Sequence, residues 1–280
     1  MMSSNDLSQS SSSQCVEVLK LLSLAEESPP LSTATILKFL SWKQDPARAA
    51  ARIKCHSAWR KNSPGSTFDL NLNSNERLKK MVKEGILLKT NVVAASGSPV
   101  LLVRLRKNDM ISDNRTPEHC AELFMYMLEH SLDDPLVQKN GITVVHDASD
   151  IQRKNINKKI PKIMLPMVIN TFPMKIKNIL IINASLWVRV FMRAVLFLLP
   201  KKFHADRVRF CTTKEQLNEF GLDYDTLPGV MMEDGKEAEM VGFSMEEFIS
   251  DCVRRDIHRT GQLKECADLI FTDEATDESK

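Results

Sequence analysis

"IINASLWVRVFMRAVLFLLP", residues 181–200, is almost unbroken hydrophobe, and its only charges are Arg189 and Arg193. It approaches the ~20 apolar residues that a membrane-spanning helix needs. Ile181 and Ile182, however, complete a β-rich run, so the helix proper is expected over residues 185–199. Two arginines near the middle of such a helix would each cost about 2.5–3.5 kcal/mol on insertion into a bilayer. The segment is too short and too charged to span. At about 100° per residue, Arg189 and Arg193 share one stripe, and every other direction carries Leu, Val, Phe, Met or Trp. A helix apolar nearly all round is expected to be buried nearly all round. Its guanidinium groups cannot be buried unpaired, so that stripe must reach water, an acid or a phosphate. Two readings follow: a core helix whose arginines snorkel outwards, or a lid over an apolar cavity whose outer face touches a bilayer.

Working outward, four short runs have β character: "VLLVRLR" (100–106), "ITVVHD" (142–147), "NILIIN" (178–183) and "RVRFCT" (207–212). Helix-like segments lie between them. "TPEHCAELFMYMLEHS" has Thr116 as cap and Pro117 after it, "NKKIPKIMLPMVINTF" is interrupted by Pro161 and Pro166, and the third is the opening stretch. Strands alternating with helices predict an α/β layer with a mainly parallel sheet. Two of the runs are nearly continuous hydrophobe, as strands covered on both faces are. The first third reads as helical, over residues 15–25 and 32–40, then in "DPARAAARIKCHSAWRKN", where Asp45 caps and Pro46 takes the first helical position. A further helix is expected from Ser74 to a stop at Gly85.

Composition narrows the classes. The chain of 280 residues is 43% hydrophobic and 26% charged, ordinary for a globular fold, and its net charge of +2 is too small to imply nucleic acid. Six scattered cysteines without a CxxC pair point to reduced, mostly buried thiols. The opening "MMSSNDLSQSSSSQ" has neither the basic nor the apolar region of a secretory leader and no glycine for myristoylation, so a short disordered tail and a cytoplasmic protein are expected. The closing "TDEATDESK" is acidic and is expected to be disordered as well.

With those runs in place, "FPMKIKNILIINASLWVRVFMRAVLFLLPKKFHADRVRF" resembles the pattern of the CRAL-TRIO lipid-binding family: an aromatic–Pro–basic turn, an "IINAP"-like strand, an apolar gate helix ending in "FLP" and a basic loop. Upstream, "GSPVLLVRLRKND" looks like the family's first strand and "DPLVQKNGITVVHDASD" like its "NGIVVIFDLEG" strand. "ILKFLSWKQDPARAAARIKCHSAWRKNSPG" is similar to its N-terminal three-helix module. "FGLDYDTLPGVMMEDGK" stands where the family has "LPKEYGG". The resemblance covers roughly residues 15–240.

It implies an α/β fold: a mainly parallel sheet with flanking helices enclosing a hydrophobic cavity, preceded by a small N-terminal three-helix module. The expected divisions are a tail over 1–14, the module over 15–85, the lipid-binding domain over 86–243, a C-terminal helix over 244–271 and an acidic tail over 272–280. One hydrophobic lipid would sit between the sheet and the gate helix. Leu186, Trp187, Val190, Phe191, Val195, Phe197 and Leu198 would divide between ligand and bilayer, although sequence does not assign the sides, and core packing remains open for each. Phosphoinositide-binding members use cations that match Arg60 and Lys61 after Trp59, and Lys175 and Lys177 before the strand. Arg193 matches a basic position on the gate helix, beside Arg189, and Lys201 with Lys202 match the loop after it. Several cations on separate elements can share a phosphate's charge; the alternative is a solvated basic face that docks on anionic membranes. Leu196 replaces a lysine that many members carry and Val190 replaces a hydroxyl, which points to a less polar cavity lipid than phosphatidylinositol; the "GG" ending of the family's hinge motif is absent, so the resemblance does not fix the pivot of the gate.

The expected function is carriage of one hydrophobic lipid between membranes, docking through an anionic-lipid patch, by a cytoplasmic protein reversibly bound to membrane surfaces. The alternative is a lipid-sensing adaptor that recruits a protein partner without transfer. An enzyme is not expected. "SGSP" at Ser96 is not a GxSxG elbow, and His146–Asp147 lies at a strand end where a base could work but has no nucleophile nearby in sequence. The histidines lack metal-ligand spacing. No cofactor, no metal, no nucleic-acid partner and a monomer complete the expectation.

Overall fold

The computed structural model describes residues 4–23, 33–62, 64–197, 207–232, 235–240 and 243–274. They divide into two units, one drawn from 4–67, 170–173 and 251–274, the other from 68–169 and 174–250.

In the first unit, α1 (Ser4–Ser23), α2 (Thr33–Lys43) and α3 (Pro46–Lys61) bury a shared core that includes Val18, Leu22, Ile36, Phe39 and Ile53. The start of α3 follows its sequence: Asp45 accepts a hydrogen bond from the Arg48 N–H at 2.8 Å, and Pro46 supplies a preset φ where no N–H is needed. Past its end, Gly65 lies against Trp59; a Cβ there would come within 2.4 Å of the Trp59 carbonyl oxygen, so only glycine fits.

In the second unit, α4 (Glu76–Lys83) precedes the sheet. Its cap is Asn75, which accepts from the Leu78 N–H at 2.9 Å, one residue after the expected Ser74. The five strands β1 (Leu87–Val93), β2 (Pro99–Arg104), β3 (Ile142–Asp147), β4 (Ile176–Ile182) and β5 (Val208–Cys211) lie in that order. β1 pairs antiparallel with β2, and the remaining pairs are parallel. Connections between parallel strands require crossovers. α5 (Pro117–Leu132) and α6 (Pro135–Asn140) link β2 to β3, and both open on a proline behind a side-chain cap, Thr116 and Asp134. α7 (Lys159–Pro166) links β3 to β4, ends at Pro166 and continues as a wide π turn over Met167–Thr171. α8 (Leu186–Leu196) links β4 to β5; α9 (Lys214–Asn218) follows, then α10 (Met245–Glu274), whose residues from Asp251 onward belong to the first unit.

Strand alternation divides the sheet into two faces. Leu88, Val100, Leu102, Val145, Leu180 and Ile182 point to one face and pack with Leu217, Tyr224, Leu227 and Val230. Val103, Val144, His146 and Ile179 lie on the other, towards α5, α7 and α8.

Several expectations need correction. α1 begins at Ser4, inside the expected tail. The division falls between Thr67 and Phe68 rather than after residue 85, because α4 contributes buried Leu78, Met81 and Val82 to the sheet-bearing unit. The first strand is Leu87–Val93, not the run at 100–106; "LLKTNVV" mixes Lys, Thr and Asn into an edge strand and gives a weak β signal. α10 extends to Glu274, into the expected acidic tail, and residues 275–280 lie outside those described.

Candidate ligand cavity

A cavity of about 180 Å³ lies beneath α8. Its floor is formed by Val103, Val144, His146, Ile176 and Ile179 of the sheet. α5 adds Cys120, Leu123 and Phe124, and α7 adds Ile160, Pro161, Met164 and Leu165. α8 covers it with Phe191, Met192, Val195 and Leu196. No charged side chain lines it among the described residues. Burial raises the Cys120 thiol, which keeps it protonated and neutral. An engineered apolar cavity of about 150 Å³ stays dry and takes benzene, so this one has the size and character to take a short length of hydrocarbon without rearrangement.

The period of α8 separates its apolar residues. Phe191 and Val195 line the cavity, while Val188 is buried against Ile181, Ala184 and Val208. Leu186 is 80% exposed, Trp187 42%, Val190 60% and Phe197 85%. Burial all round is therefore not found: the sheet covers one side of α8, and among the described residues nothing covers the other. Leu198 lies outside those residues.

The arginine stripe is satisfied at close range. The Arg189 Nε–H donates to the Ala184 carbonyl at 2.9 Å, and the Arg193 guanidinium stands 5.9 Å from the Phe210 ring centroid. Lys175 and Lys177 flank the first residue of β4, Lys177 exposed and Lys175 partly so. Beside them Arg207, which the sequence reading passed over, donates to the Ile176 carbonyl at 3.1 Å. Arg60 and Lys61 belong to the other unit and close α3, where cations favour a helix C-terminus; Arg60 also donates to the Gly65 carbonyl at 3.0 Å. Lys201 and Lys202 lie outside the described residues.

The His146–Asp147 pair divides sharply. Asp147 is fully buried and accepts from the Ser149 N–H (3.1 Å), the Ser149 hydroxyl (2.6 Å), Asn183 (3.2 Å), the Met231 N–H (3.0 Å) and Arg106. With both oxygens occupied, it is a structural hub. Asn183, at φ +55°, also donates to the Met231 carbonyl and accepts from the Tyr224 hydroxyl, so the chain entering α8 is tied to the 224–231 segment. Gly229 completes the tie: its carbonyl accepts from Arg104 and Arg106, and a Cβ would meet Arg104 at 2.1 Å. His146, next along, is pushed down to about 4 by burial. It is neutral at ordinary pH and a weak base.

Most cavity residues outside α8 escaped the sequence reading. The signal for His146 was the parity it shares with Val144 on β3. The contributions of α5 and α7 had no local signal, because an inward-facing Phe124 or Met164 looks like any other core residue.

Residues 93–225 match the profile of the CRAL/TRIO domain. The mouse and rat tyrosine-protein phosphatase non-receptor type 9 are each 24% identical over 188 residues, 66% of this chain and 30% of theirs. The human protein of that name is 24% identical over 141 residues, 50% of this chain and 23% of its own. This chain thus corresponds to under a third of those relatives. The crystal structure of Sfh5 shares the fold, with a TM-score of 0.50 at 12% identity over 81% of each chain. The family to which that fold and profile belong binds and transfers lipids and is typically non-enzymatic. Sheet order and apolar cavity agree with that match of residues 93–225 to the CRAL/TRIO domain.

Proposed function

We propose that the protein takes up one hydrophobic lipid in the cavity beneath α8 and exchanges it at membrane surfaces, with α8 as the moving cover. The observation that carries this reading is the two-sidedness of α8: Phe191 and Val195 face the void, while Leu186, Val190 and Phe197 face outward, 60–85% exposed. A contiguous exposed apolar patch marks an interaction surface. No helix of the described residues is long and apolar enough to cross a membrane, so contact is from one side.

The energetics favour opening on a bilayer. Burying one methylene is worth about 0.8 kcal/mol, so an 18-carbon chain gains roughly 14 kcal/mol gross and leaves for water very slowly. A chain of that length also exceeds what about 180 Å³ holds, so loading requires the cover to shift. Against lipid, the opened cavity and the outer face of α8 lose little by separating. Lys175, Lys177, Arg189 and Arg193 supply positive charge near that surface, where each cation is worth about 1 kcal/mol towards anionic lipid. Arg60 and Lys61 of the other unit, and Lys201 and Lys202 outside the described residues, are in this reading further cations for anionic lipid.

Transfer of a fluorescent lipid from donor to acceptor vesicles tests it. The wild-type chain should accelerate exchange catalytically, and Val190→Glu with Phe197→Glu should slow it roughly tenfold or more while bound lipid is retained. Binding without exchange in the wild type would instead indicate a lipid sensor.

A further inference from the structure

Among the described residues that line the cavity, one side chain has a buried polar atom without a partner. The other polar lining side chains each bond to the protein. The Asn108 side-chain N–H donates to the Asn155 carbonyl at 3.2 Å, and its oxygen accepts from Arg115 at 3.3 Å. The Asn155 side chain donates to the Arg106 and Asn108 carbonyls and accepts from the Gln152 N–H at 2.7 Å. The Asn157 oxygen accepts from the Lys159 N–H at 2.9 Å. His146 differs. Its Nδ1 is buried without a partner, and among the described residues no hydrogen bond or ion pair reaches the ring. It stands on the cavity floor two residues after Val144, and what exposure the ring keeps is to the cavity.

A buried polar atom is normally paired, and an unpaired one calls for a reason. Its strand neighbours Val145 and Asp147 face the opposite side of the sheet and are engaged there, so neither supplies it a bond. Burial keeps the imidazole neutral, so it presents one N–H and one lone pair. Its complement is a neutral group that both donates and accepts. A hydroxyl meets that requirement whichever nitrogen carries the proton, whereas an ether or ester only accepts. A carboxylate or phosphate would enter a space with no charged lining residue among those described, at the full cost of burying a charge.

We propose that His146 is the polar anchor of the cavity and that the lipid it selects is a neutral lipid alcohol, with its hydroxyl on the imidazole and its hydrocarbon under Phe191 and Val195. This rests on the reading of the cavity as a lipid site and narrows it to a chemical class.

The test offers the full-length chain vesicles of neutral phosphatidylcholine containing equal amounts of oleyl alcohol, oleyl methyl ether, oleic acid and phosphatidylinositol. Lipid retained after gel filtration is measured by mass spectrometry. The wild type should retain the alcohol over its methyl ether by about tenfold, the order expected for one buried hydrogen bond. His146→Leu should retain the two equally, and His146→Gln, which keeps a donor and an acceptor, should preserve part of the preference and control for folding. Equal retention by the wild type, a preference that survives in His146→Leu, or dominance of phosphatidylinositol or oleic acid overturns the proposal while leaving the lipid cavity standing. If no lipid is retained by any form, the lipid-carrier reading itself falls, and this one with it.

Discussion

The two faces of one sheet are built from the same alternating strands yet end in opposite packing. On the first, Leu102, Val145, Leu180 and Ile182 are fully buried against Tyr224, Leu227 and Val230. On the second, Val144, His146 and Ile179 look into a void. Protein interiors are close-packed, so a void lined almost wholly by hydrocarbon forfeits dispersion contacts on every surface it exposes. The chain has side chains large enough to fill it, and places Phe197 and Trp187 on the outside of α8 instead. The difference teaches that this sheet has a packed face and a face that borders a cavity, and that substitutions on the two should not behave alike.

The largest contrast is in stability. Leu102→Ala should lower it by about 4 kcal/mol, since the packed face collapses poorly around a new hole, whereas Ile179→Ala, already bordering a void, should cost roughly half as much. Urea denaturation of the two variants measures this, and equal losses would erase the distinction between the faces.

A smaller effect sharpens the contrast through acid. His146 titrates near 4 in the fold against about 6.5 in an unfolded chain, so the unfolded state takes up the proton first as pH falls. Stability is therefore lost below about pH 6.5, and by pH 4 the loss from this residue reaches about 3 kcal/mol. Denaturation midpoints of wild type and His146→Leu, compared at pH 7 and pH 4.5, should converge on one another's slope only if the imidazole lies in water.

The smallest effect is at the surface. Lys175→Ala and Lys177→Ala should each weaken binding to anionic vesicles by about fivefold at low salt, and less as salt rises. Sedimentation of vesicles at two ionic strengths reads it, and a salt-independent loss would mean that the lysines act by something other than general attraction.

Local chemistry was legible where it was strong. Asp45–Pro46 and Thr116–Pro117 mark helix starts that the structure keeps, and "ITVVHD" is β3 to the residue. The edge strand Leu87–Val93 was missed because its polar residues carry no clear alternation. The unit boundary was misplaced because α4 looks amphipathic on its own, and only its partner identifies the unit it joins. On α8, the apolar residues were legible as a set, but their division was not: Val190 and Val195 are the same residue type five positions apart, one exposed and one against the cavity.

By itself the sequence determined the element types, the parallel sheet and the presence of a helix too apolar for an ordinary surface, because propensity, capping and periodicity act within a few residues of the chain. Only the tertiary structure decided that a space remains beneath that helix, which of its sides faces the space, and that Asp147 is saturated while His146 is left unpaired. Those outcomes depend on side chains brought together from β3, α5, α7 and α8, and packing between distant segments leaves no trace in the spacing of any one of them.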